Sequence, residues 1–426
     1  MTGARQILQL EWPTRPGNLE SVGIRAGKST VERPRVCLVG GTRPEGLKLG
    51  PVAAAMREEG RLRPLIVASG QHPTMFHQAM EAFSLQPDIT VRPPRQQGGQ
   101  AELTSLLLAE LDKVFTGCRP RAVVVQGDTT TTLAAALTAF WRNIPVVHLE
   151  AGLRSGDLSA PFPEEGNRKL VSQISSLHLA PTPAAARNLE QDGIAGPGVL
   201  TIGNTIVDAA LALSSTRAEY SYLELSAAAR RVATGDRRLV LLTVHRRESW
   251  GAPLRRVLLA VADLVRAVPD IEVVVPAHPN PIVREQVHFT LGNLERVTVT
   301  DPLPYVDLVR LLRNAALVLS DSGGIQEEVG SFGVPVLVLR EVTERMEAVQ
   351  AGIARLVGTD GAAVLETATR VLKETDGARC VGNPFGDGHA RYRAEQAIAW
   401  HLGLEVRPPE PFDPLAVSSR MEAITP

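Results

Sequence analysis

A chain of 426 residues is too long for one ordinary hydrophobic core, so two domains are expected. Hydrophobic residues make up 44% and charged residues 21% of it, which is typical of a globular protein. The 45 Lys and Arg residues nearly balance the 46 Asp and Glu residues, and a net charge of -1 argues against a general nucleic-acid-binding protein. No apolar run approaches the ~20 residues of a membrane span, and the N-terminus has no hydrophobic signal core, so we expect a cytoplasmic protein with no membrane partner.

The three cysteines, Cys37, Cys118 and Cys380, are scattered and show no CxxC or metal-ligand spacing. Cys37 lies inside an apolar stretch, which predicts a buried thiol in a reducing compartment. No cluster of residues has the spacing of a zinc site, and no acidic triplet requires magnesium. The residues therefore predict no metal cofactor.

The ordered fold is predicted to begin after a polar N-terminal extension at residues 1–33, which lacks hydrophobic periodicity. The apolar stretch 35–39 predicts a buried strand, and the glycine-rich turn 40–45 leads into a helix. Such a turn either brings backbone N–H groups to a phosphate at the helix N-terminus or is simply tight, and the residues leave both interpretations open. Arg43 and Lys48 lie near enough to this turn to reach a phosphate.

A strand–helix–strand unit follows in the middle of the first half. An apolar run ends in Gly127 and Asp128, a helical segment comes next, and a second apolar run, 144–149, ends in Glu150. A crossover of this length returns the chain to the same sheet edge, so the two strands are predicted to be parallel. Asp128 and Glu150 are then expected at the carboxyl ends of neighbouring strands, where open α/β sheets bind ligands.

A third acidic site, Glu164 with Glu165, follows Pro163 at a predicted helix start. Taken one at a time, these acids have structural explanations, because Asp128 is suited to N-capping its helix and Glu164 to complementing a helix dipole. Three acids at one sheet edge favour catalysis instead. His148, which lies within the strand before Glu150, is interpreted as structural.

The second half of the chain repeats the alternation, with a polar cluster directly after each apolar strand. These clusters are His245-Arg246-Arg247-Glu248, Pro276-Ala277-His278, Ser320-Asp321-Ser322-Gly323-Gly324 and Arg340 followed by Thr343-Glu344-Arg345. Two such series imply two doubly wound parallel sheets that face each other across a cleft.

The predicted organisation has five parts. The extension is followed by an N-terminal domain at 34–206 and a C-terminal domain at 207–383. A final helix at 384–404 is expected to pack back on the N-terminal domain, and 405–426 form a tail.

Chemistry in the second domain centres on Ser322, Gly323 and Gly324, which open a helix and are suited to cradling a diphosphate. Glu328 is placed to reach a ribose, although a solvated helix glutamate explains it equally well. His245 has either a structural role or, beside Arg246, a role near phosphate. The role of His278 stays open.

The sequence resembles the UDP-N-acetylglucosamine 2-epimerase family. The motifs that carry the resemblance run in family order from about residue 36 to 400: GTRPEGLKLGPV, QGDTTTT, HLEAGLRS, PFPEEGNR, GNTIVDA, HRRESWG, PAHPNP, SDSGGIQEE and TERMEA. The resemblance implies two Rossmann-like domains in a GT-B-like arrangement, a UDP-sugar substrate bound in the cleft, no cofactor, and a homodimer of the non-hydrolysing bacterial type. Met346 stands where many relatives have proline.

The resemblance also assigns roles to residues. Asp128, Glu150 and Glu164 are expected to be catalytic, together with His245. UDP contacts are expected from a larger set: Arg43, Lys48, His245, Ser322, Gly323, Gly324, Glu328 and Arg345. The implied reaction eliminates UDP to give a glycal and adds UDP back on the other face of C2, which requires an acid and a base with different pKa values.

Non-hydrolysing relatives bind a second UDP-GlcNAc as an activator, and matching positions exist here. They are Gln71, Arg95, Gln96, Glu164, Arg246 and His278. Thr74 replaces a glutamine that is usual in the family, and the Pro/Gly-rich loop 92–100 departs from the family pattern. Weakened activation is therefore expected.

Three other functions are compatible with parts of the pattern. A hydrolysing 2-epimerase would release ManNAc and UDP. A GT-B glycosyltransferase would share the Ser-Gly-Gly cradle but would not need the three acids. A non-catalytic UDP-sugar sensor is disfavoured because all three acids are present.

Overall fold

The computed structural model describes residues 33–96, 98–246, 249–374 and 382–415. The predicted extension up to residue 32, Arg247, Glu248, Cys380 and the end of the predicted tail lie outside these residues. Within the described part of the chain, no helix is long and apolar enough to cross a membrane.

The strands, in chain order, are β1 (Arg35–Gly40), β2 (Arg63–Ala68), β3 (Ile89–Thr90), β4 (Ala122–Gln126), β5 (Val146–Leu149), β6 (Leu177–Ala180), β7 (Val199–Thr201), β8 (Arg238–Thr243), β9 (Ile271–Pro276), β10 (Val297–Thr300), β11 (Ala315–Ser320), β12 (Val336–Val338) and β13 (Ala354–Leu356).

The helices are α1 (Arg43–Glu59), α2 (Pro73–Glu81), α3 (Gln100–Cys118), α4 (Thr130–Trp141), α5 (Glu164–Ile174), α6 (Pro183–Gln191), α7 (Thr205–Ser214), α8 (Leu223–Ala233), α9 (Ala252–Ala267), α10 (Pro281–Leu291), α11 (Tyr305–Asn314), α12 (Gly323–Glu328), α13 (Met346–Gln350), α14 (Gly361–Glu374) and α15 (Ala390–His401). A short 3₁₀ helix, Val329–Phe332, continues α12.

The first sheet has the strand order β3-β2-β1-β4-β5-β6-β7, and all of its pairs are parallel. β4 is buried along its whole length, which explains why its sequence is a continuous apolar run. The predicted strand–helix–strand unit is confirmed, because β4 pairs directly with β5 and α4 connects them.

The second sheet has the order β10-β9-β8-β11-β12-β13 and is also parallel. In both sheets the strand order reverses beside the first strand of the series, at β1 and β4 in one and at β8 and β11 in the other. Ligands bind at the carboxyl ends of the strands at such points. The prediction of two doubly wound α/β domains is confirmed.

The chain divides into two compact units. The first comprises the described residues up to Ala209 together with Phe385–Asp413, and the second comprises Ala210–Pro384 and the residues from Pro414. Within the first unit, α15 packs against α1.

Asp208 of α7 lies buried beside α15 in the first unit. Its Oδ1 atom accepts a hydrogen bond from the backbone N–H of Arg391 at 2.9 Å, whereas its Oδ2 atom has no hydrogen-bond partner among the described residues. Arg391 is itself fully buried and pairs with Glu58 at 2.9 Å. Burial raises the pKa of the Asp208 carboxyl to about 7, so the group is neutral in the folded protein at acidic pH.

We predict that Asp208→Asn changes the pH dependence of stability. A carboxyl group whose pKa rises on folding contributes stability below its unfolded value of 3.8, and that contribution is lost as the pH rises to about 7. The variant keeps the acceptor for Arg391 but does not titrate. Its stability relative to the unchanged protein should therefore increase between pH 4 and pH 7 and then level off, as measured by thermal unfolding.

Asp263→Asn is the matched control, since Asp263 is exposed. A stability difference for Asp208→Asn that stays constant across this pH range would contradict the prediction.

Candidate active site

The turn between β1 and α1 is filled by the chain's own Glu45. The N–H groups of Gly41 and Thr42 donate to Glu45 Oε2 at 2.9 and 2.8 Å, and the Thr129 hydroxyl donates to Oε1 at 2.7 Å. Glu45 is fully buried, and a Cβ atom at Gly41 would lie 2.0 Å from Ser69 Oγ. The tight-turn interpretation is therefore correct, and these two amides are not available to a phosphate.

Glu150 has the most constrained environment of the three candidate acids. It follows β5 with a φ of 63°, a left-handed conformation that costs a non-glycine residue on the order of 1–3 kcal/mol and is typical of functional sites. Its carboxylate accepts hydrogen bonds from Lys48 Nζ and Gln126 Nε2, and from Asn204 Nδ2 at 3.4 Å. The side chains of Glu150 and Lys48 are 8% and 12% exposed, so the Lys48 ammonium group offsets a charge that water barely reaches.

Asp128 is bound to α5 and does not cap α4. The N-cap of α4 is Thr129, which accepts from Thr132 N at 3.1 Å, so the N-cap interpretation of Asp128 is wrong. The Asp128 carboxylate pairs with Arg168, and Asn167 Nδ2 donates to the Asp128 backbone oxygen at 2.9 Å. Both partners lie on α5, which fixes the end of β4 to this helix.

Glu164 and Glu165, at the start of α5, have different surroundings. Glu165 is fully buried and accepts from Ser155 N at 3.0 Å and Gly156 N at 3.4 Å, which indicates that it holds the preceding loop. Glu164 is only partly buried. Of the two, Glu164 is therefore the one with a side chain that a substrate can reach, and it lies one helical turn before Arg168.

His148 is structural, as predicted. It is fully buried, and its Nε2 atom lies 2.8 Å from the Gly127 backbone oxygen. Burial lowers the pKa of His148 to about 3, so the ring is neutral at physiological pH.

In the second unit, His245 is oriented by Asp321, a residue to which the sequence pattern assigned no role. Asp321 is fully buried, and its Oδ1 atom lies 2.8 Å from His245 Nδ1. The backbone N–H groups of His245 and Arg246 donate to Oδ2 at 3.0 and 2.9 Å. Burial alone would raise the pKa of Asp321, but these hydrogen bonds outweigh it and hold the pKa below its usual range.

The Ser322, Gly323 and Gly324 cluster opens α12 directly after β11, as predicted. Arg345 lies beside it, because a Cβ atom at Gly323 would be 3.5 Å from the Arg345 guanidinium carbon. Arg345 Nε donates to Glu327 at 2.8 Å, which fixes the guanidinium group next to the helix start. A cation and a helix N-terminus thus lie together, an arrangement suited to an anion. Glu328 is buried, which rules out the solvated-glutamate interpretation.

The residues proposed for a second ligand are divided between the two units. In the first unit, Gln71 Oε1 accepts from the Thr131 hydroxyl at 2.7 Å, and Arg95 donates to Gly98 O at 2.8 Å within an exposed loop. Gln96 N donates to Glu102, which holds this loop to the start of α3.

In the second unit, His278 Nδ1 accepts from Asn280 N at 3.1 Å. Burial, together with the nearby charge of His245, lowers the pKa of His278. Burial would raise the pKa of Glu344, but its hydrogen bond with Arg340 and, to a lesser extent, the charge of Arg246 lower it to about 2.

Sequence patterns did not identify most of the partners of these residues. Lys48 was predicted to contact UDP, and the structure pairs it with Glu150. The roles of Gln126, Asn204 and Arg168 in holding the acids depend on contacts between distant parts of the chain. The role of Glu45 could have been predicted, because Thr42 and Glu45 have the spacing of a capping box, in which the glutamate binds a backbone N–H group at the helix start.

Within the described ranges, no group of three or more His, Cys, Asp or Glu side chains is arranged to hold a metal ion.

Two Rossmann-like domains, one with acids at its central strand ends and one with a glycine-rich helix start beside an arginine, define an enzyme of the GT-B-like α/β class. A family profile described as UDP-N-acetylglucosamine 2-epimerase matches residues 54–399. The UDP-N-acetylglucosamine 2-epimerase of Escherichia coli K12 is 40% identical over 368 residues, which cover 85% of this chain and 98% of that protein. The chain therefore belongs to the UDP-N-acetylglucosamine 2-epimerase family, as its motifs predicted.

Solved structures agree with this assignment. The crystal structure of a candidate UDP-N-acetylglucosamine 2-epimerase from Listeria monocytogenes superposes with a TM-score of 0.81 at 37% identity, covering 90% of this chain and all of that one. A UDP-GlcNAc 2-epimerase from Neisseria meningitidis, solved with UDP-GlcNAc bound, gives a TM-score of 0.73 at 34% identity and covers 84% and 97% of the two chains.

We predict that Lys48→Met destabilises the first unit, because it leaves the buried Glu150 carboxylate without its cation. Removing one partner of a buried ion pair typically costs about 3–5 kcal/mol. Glu150→Gln in the same chain should restore much of the loss, since the uncompensated charge is then absent. Thermal unfolding of the two single variants and the double variant measures this.

Lys113→Met is the matched control, since Lys113 is 71% exposed and pairs with Glu110 at the surface. Equal losses of thermal stability in Lys48→Met and Lys113→Met would show that the Lys48–Glu150 pair stabilises the protein no more than a surface pair does.

We predict that Asp321→Asn lowers the affinity for UDP, the ligand that the motifs imply, about 10- to 100-fold, because hydrogen bonds to a charged group contribute roughly 1.5–3 kcal/mol. If Asp321 acts through His245, adding Asp321→Asn to His245→Ala should change little further. Calorimetric titration of UDP into the two single variants and the double variant tests the coupling.

Asp307→Asn serves as the control. Asp307 is also a buried aspartate of the second unit, and its carboxylate accepts a hydrogen bond from Ser221 N at 2.9 Å. If the losses of UDP affinity in Asp321→Asn and His245→Ala simply add in the double variant, Asp321 does not act by positioning His245.

Proposed function

We propose that this enzyme interconverts UDP-GlcNAc and UDP-ManNAc by inverting C2 of the sugar, without releasing free sugar. The observation that carries the proposal is the setting of Glu150, a strained and nearly buried carboxylate held by an ammonium group and two amides at a sheet edge. Backbone strain of this kind in a non-glycine residue clusters at active sites. The relatives from E. coli and N. meningitidis, both named as 2-epimerases, support the substrate class.

In the proposed elimination, a carboxylate of the first unit removes the C2 proton while the bond between C1 and the diphosphate oxygen breaks. UDP leaves with that electron pair, and a C1=C2 double bond forms, giving a glycal. Asp128, Glu150 and Glu164 are the candidate acids and bases. Arg168 and Lys48 hold two of them by ion pairs, which orients the oxygens toward defined positions.

In the proposed re-addition, a carboxylic acid protonates C2 from the opposite face and the diphosphate oxygen attacks C1. The two steps together conserve all atoms, because the proton removed from one face of C2 is replaced by a proton added at the other face. This step requires one acid and one base in the same site, so carboxylates with different surroundings suit it.

The second unit is proposed to bind UDP and to stabilise the charge on departing diphosphate. The helix start at Ser322, Gly323 and Gly324 and the Arg345 guanidinium group supply positive potential. His245, oriented by Asp321 through Nδ1, supplies a second donor, Nε2–H, in its protonated form. Glu328 is assigned to the ribose hydroxyls, and Arg43 of the first unit to phosphate.

The reaction type is tested by incubating the enzyme with UDP-GlcNAc in D2O and following proton NMR. A new UDP-sugar that carries deuterium at C2 is the expected result. Free ManNAc together with UDP would instead identify a hydrolysing enzyme. An unchanged UDP-GlcNAc spectrum would favour a glycosyltransferase, which needs an acceptor.

We predict that Asp128→Asn, Glu150→Gln and Glu164→Gln each reduce turnover by about 10²–10⁴-fold, the typical loss when an acid or base is removed. UDP affinity should change little, because the diphosphate contacts are assigned to other residues. Glu190→Gln is the control, since Glu190 is exposed on α6. Near-normal turnover in all three variants would refute the carboxylate assignment.

A second UDP-GlcNAc site with weakened activation stays part of the proposal. The matching positions support it, and weakened activation is consistent with Gln71, which accepts a hydrogen bond from Thr131. The test starts the reverse reaction from pure UDP-ManNAc, with and without trace UDP-GlcNAc. A strict requirement for UDP-GlcNAc at low concentration would contradict weakened activation.

A cytoplasmic homodimer is also proposed. Three large apolar side chains are at least half exposed: Phe140 (50%) and Trp141 (64%) at the end of α4, and Leu170 (56%) on α5. Exposed apolar side chains of this size are typical of interfaces. Light scattering of the purified chain measures the mass, and a monomer would refute this part.

A further inference from the structure

Two cysteines that are 81 residues apart in sequence lie side by side in the first unit. Cys37 is in the middle of β1, and Cys118 is the last residue of α3. Their sulfur atoms are 3.5 Å apart, which is a thiol–thiol contact. The sequence pattern treated these cysteines as scattered, because nothing local reveals that α3 ends against the first strand.

The two thiols differ in accessibility. Cys37 is fully buried within the hydrophobic core formed by α3, α4 and the central strands, whereas Cys118 is only partly buried. A solvent-borne oxidant can therefore reach Cys118 first, and Cys37 lies behind it. This is the arrangement of a reactive cysteine next to a resolving cysteine.

The surroundings also favour the thiolate at Cys118. The contact with the Cys37 thiol and, to a lesser extent, the charge of Arg35 lower the pKa of Cys118 to about 7, although its partial burial acts in the other direction. Arg35 is held in place by donating to the Cys118 backbone oxygen at 3.1 Å. The same contact and its own burial raise the pKa of Cys37, which stays protonated.

We propose that Cys37 and Cys118 are a redox-sensitive pair that closes to an intramolecular disulfide when a hydroperoxide oxidises Cys118. The Cys118 thiolate attacks the O–O bond of hydrogen peroxide, becomes a sulfenic acid and releases hydroxide. Cys37 then attacks Cys118 Sγ, the S–O bond breaks, and water leaves as the S–S bond forms. Two thiols and one hydrogen peroxide give one disulfide and two waters, and a dithiol reductant reverses the change.

The geometry requires only local movement. The sulfur atoms must approach from 3.5 Å to about 2.0 Å for a disulfide. Cys118 is at the end of its helix, where the backbone adjusts most easily, and the residue after it, Arg119, already leaves the helix with a φ of 45°. The bond would tie the end of α3 to β1.

The test treats the reduced full-length chain with hydrogen peroxide, blocks the remaining thiols by alkylation and digests with trypsin. Cleavage after Lys or Arg, except before Pro, places Cys37 in the peptide 36–48 and Cys118 in the peptide 114–121, while Cys380 lies in 380–391. We expect the first two peptides to become linked, the two thiols to be lost together, and dithiothreitol to restore both. The melting temperature of the oxidised protein should rise.

Variants separate this outcome from general oxidation. In Cys118→Ser, Cys37 should remain alkylatable, the melting temperature should not respond to peroxide, and the turnover of the reduced protein should be unchanged. In Cys37→Ala, the sulfenic acid on Cys118 should persist and be trapped by dimedone. If Cys37→Ala does not fold, the peptide map of the unchanged protein decides alone. Linkage of Cys118 to Cys380 or to a second chain, or sulfinic acid on Cys118 with Cys37 still free to alkylate, would overturn the proposal.

Discussion

The polar network of the first unit depends on the buried ion pair of Lys48 and Glu150, which joins α1 to the end of β5. A charge in this position is tolerated only with a partner and further hydrogen bonds, and Gln126 and Asn204 supply them. Gln126 ends β4, and Asn204 directly precedes α7, so one carboxylate fixes the relative positions of four elements. The left-handed backbone at Glu150 is kept because so many contacts specify it.

The fold could be predicted from the sequence because its strands are buried on both faces. Such strands appear as continuous apolar runs, and the polar residues that follow each run mark the carboxyl edge of the sheet. β4, β5 and β11 followed this rule, and the residues after them, Asp128, Glu150 and Ser322, occupy the predicted positions. The family motifs were equally informative, since they occur in order over most of the chain.

The partners within the candidate site could not be predicted in the same way. Lys48 and Glu150 are 102 residues apart, and His245 and Asp321 are 76 apart, so no local periodicity connects them. Asp128 illustrates the limit of local rules, because an aspartate before a helix is an ordinary N-cap signal, yet Thr129 takes that position and Asp128 pairs with Arg168 of another helix. For Asp128, a tertiary ion pair overrides the local capping preference.

The carboxyl group of Glu45 has a consequence for how the first unit meets a ligand. Because it already satisfies the N–H groups of Gly41 and Thr42, the turn between β1 and α1 has its final shape without help from a phosphate. Arg43 and Lys48 therefore lie on a helix whose first turn is already ordered by Glu45. Preorganisation of this kind reduces the conformational entropy that binding would otherwise consume, so a ligand bound at this turn would require little rearrangement of the backbone.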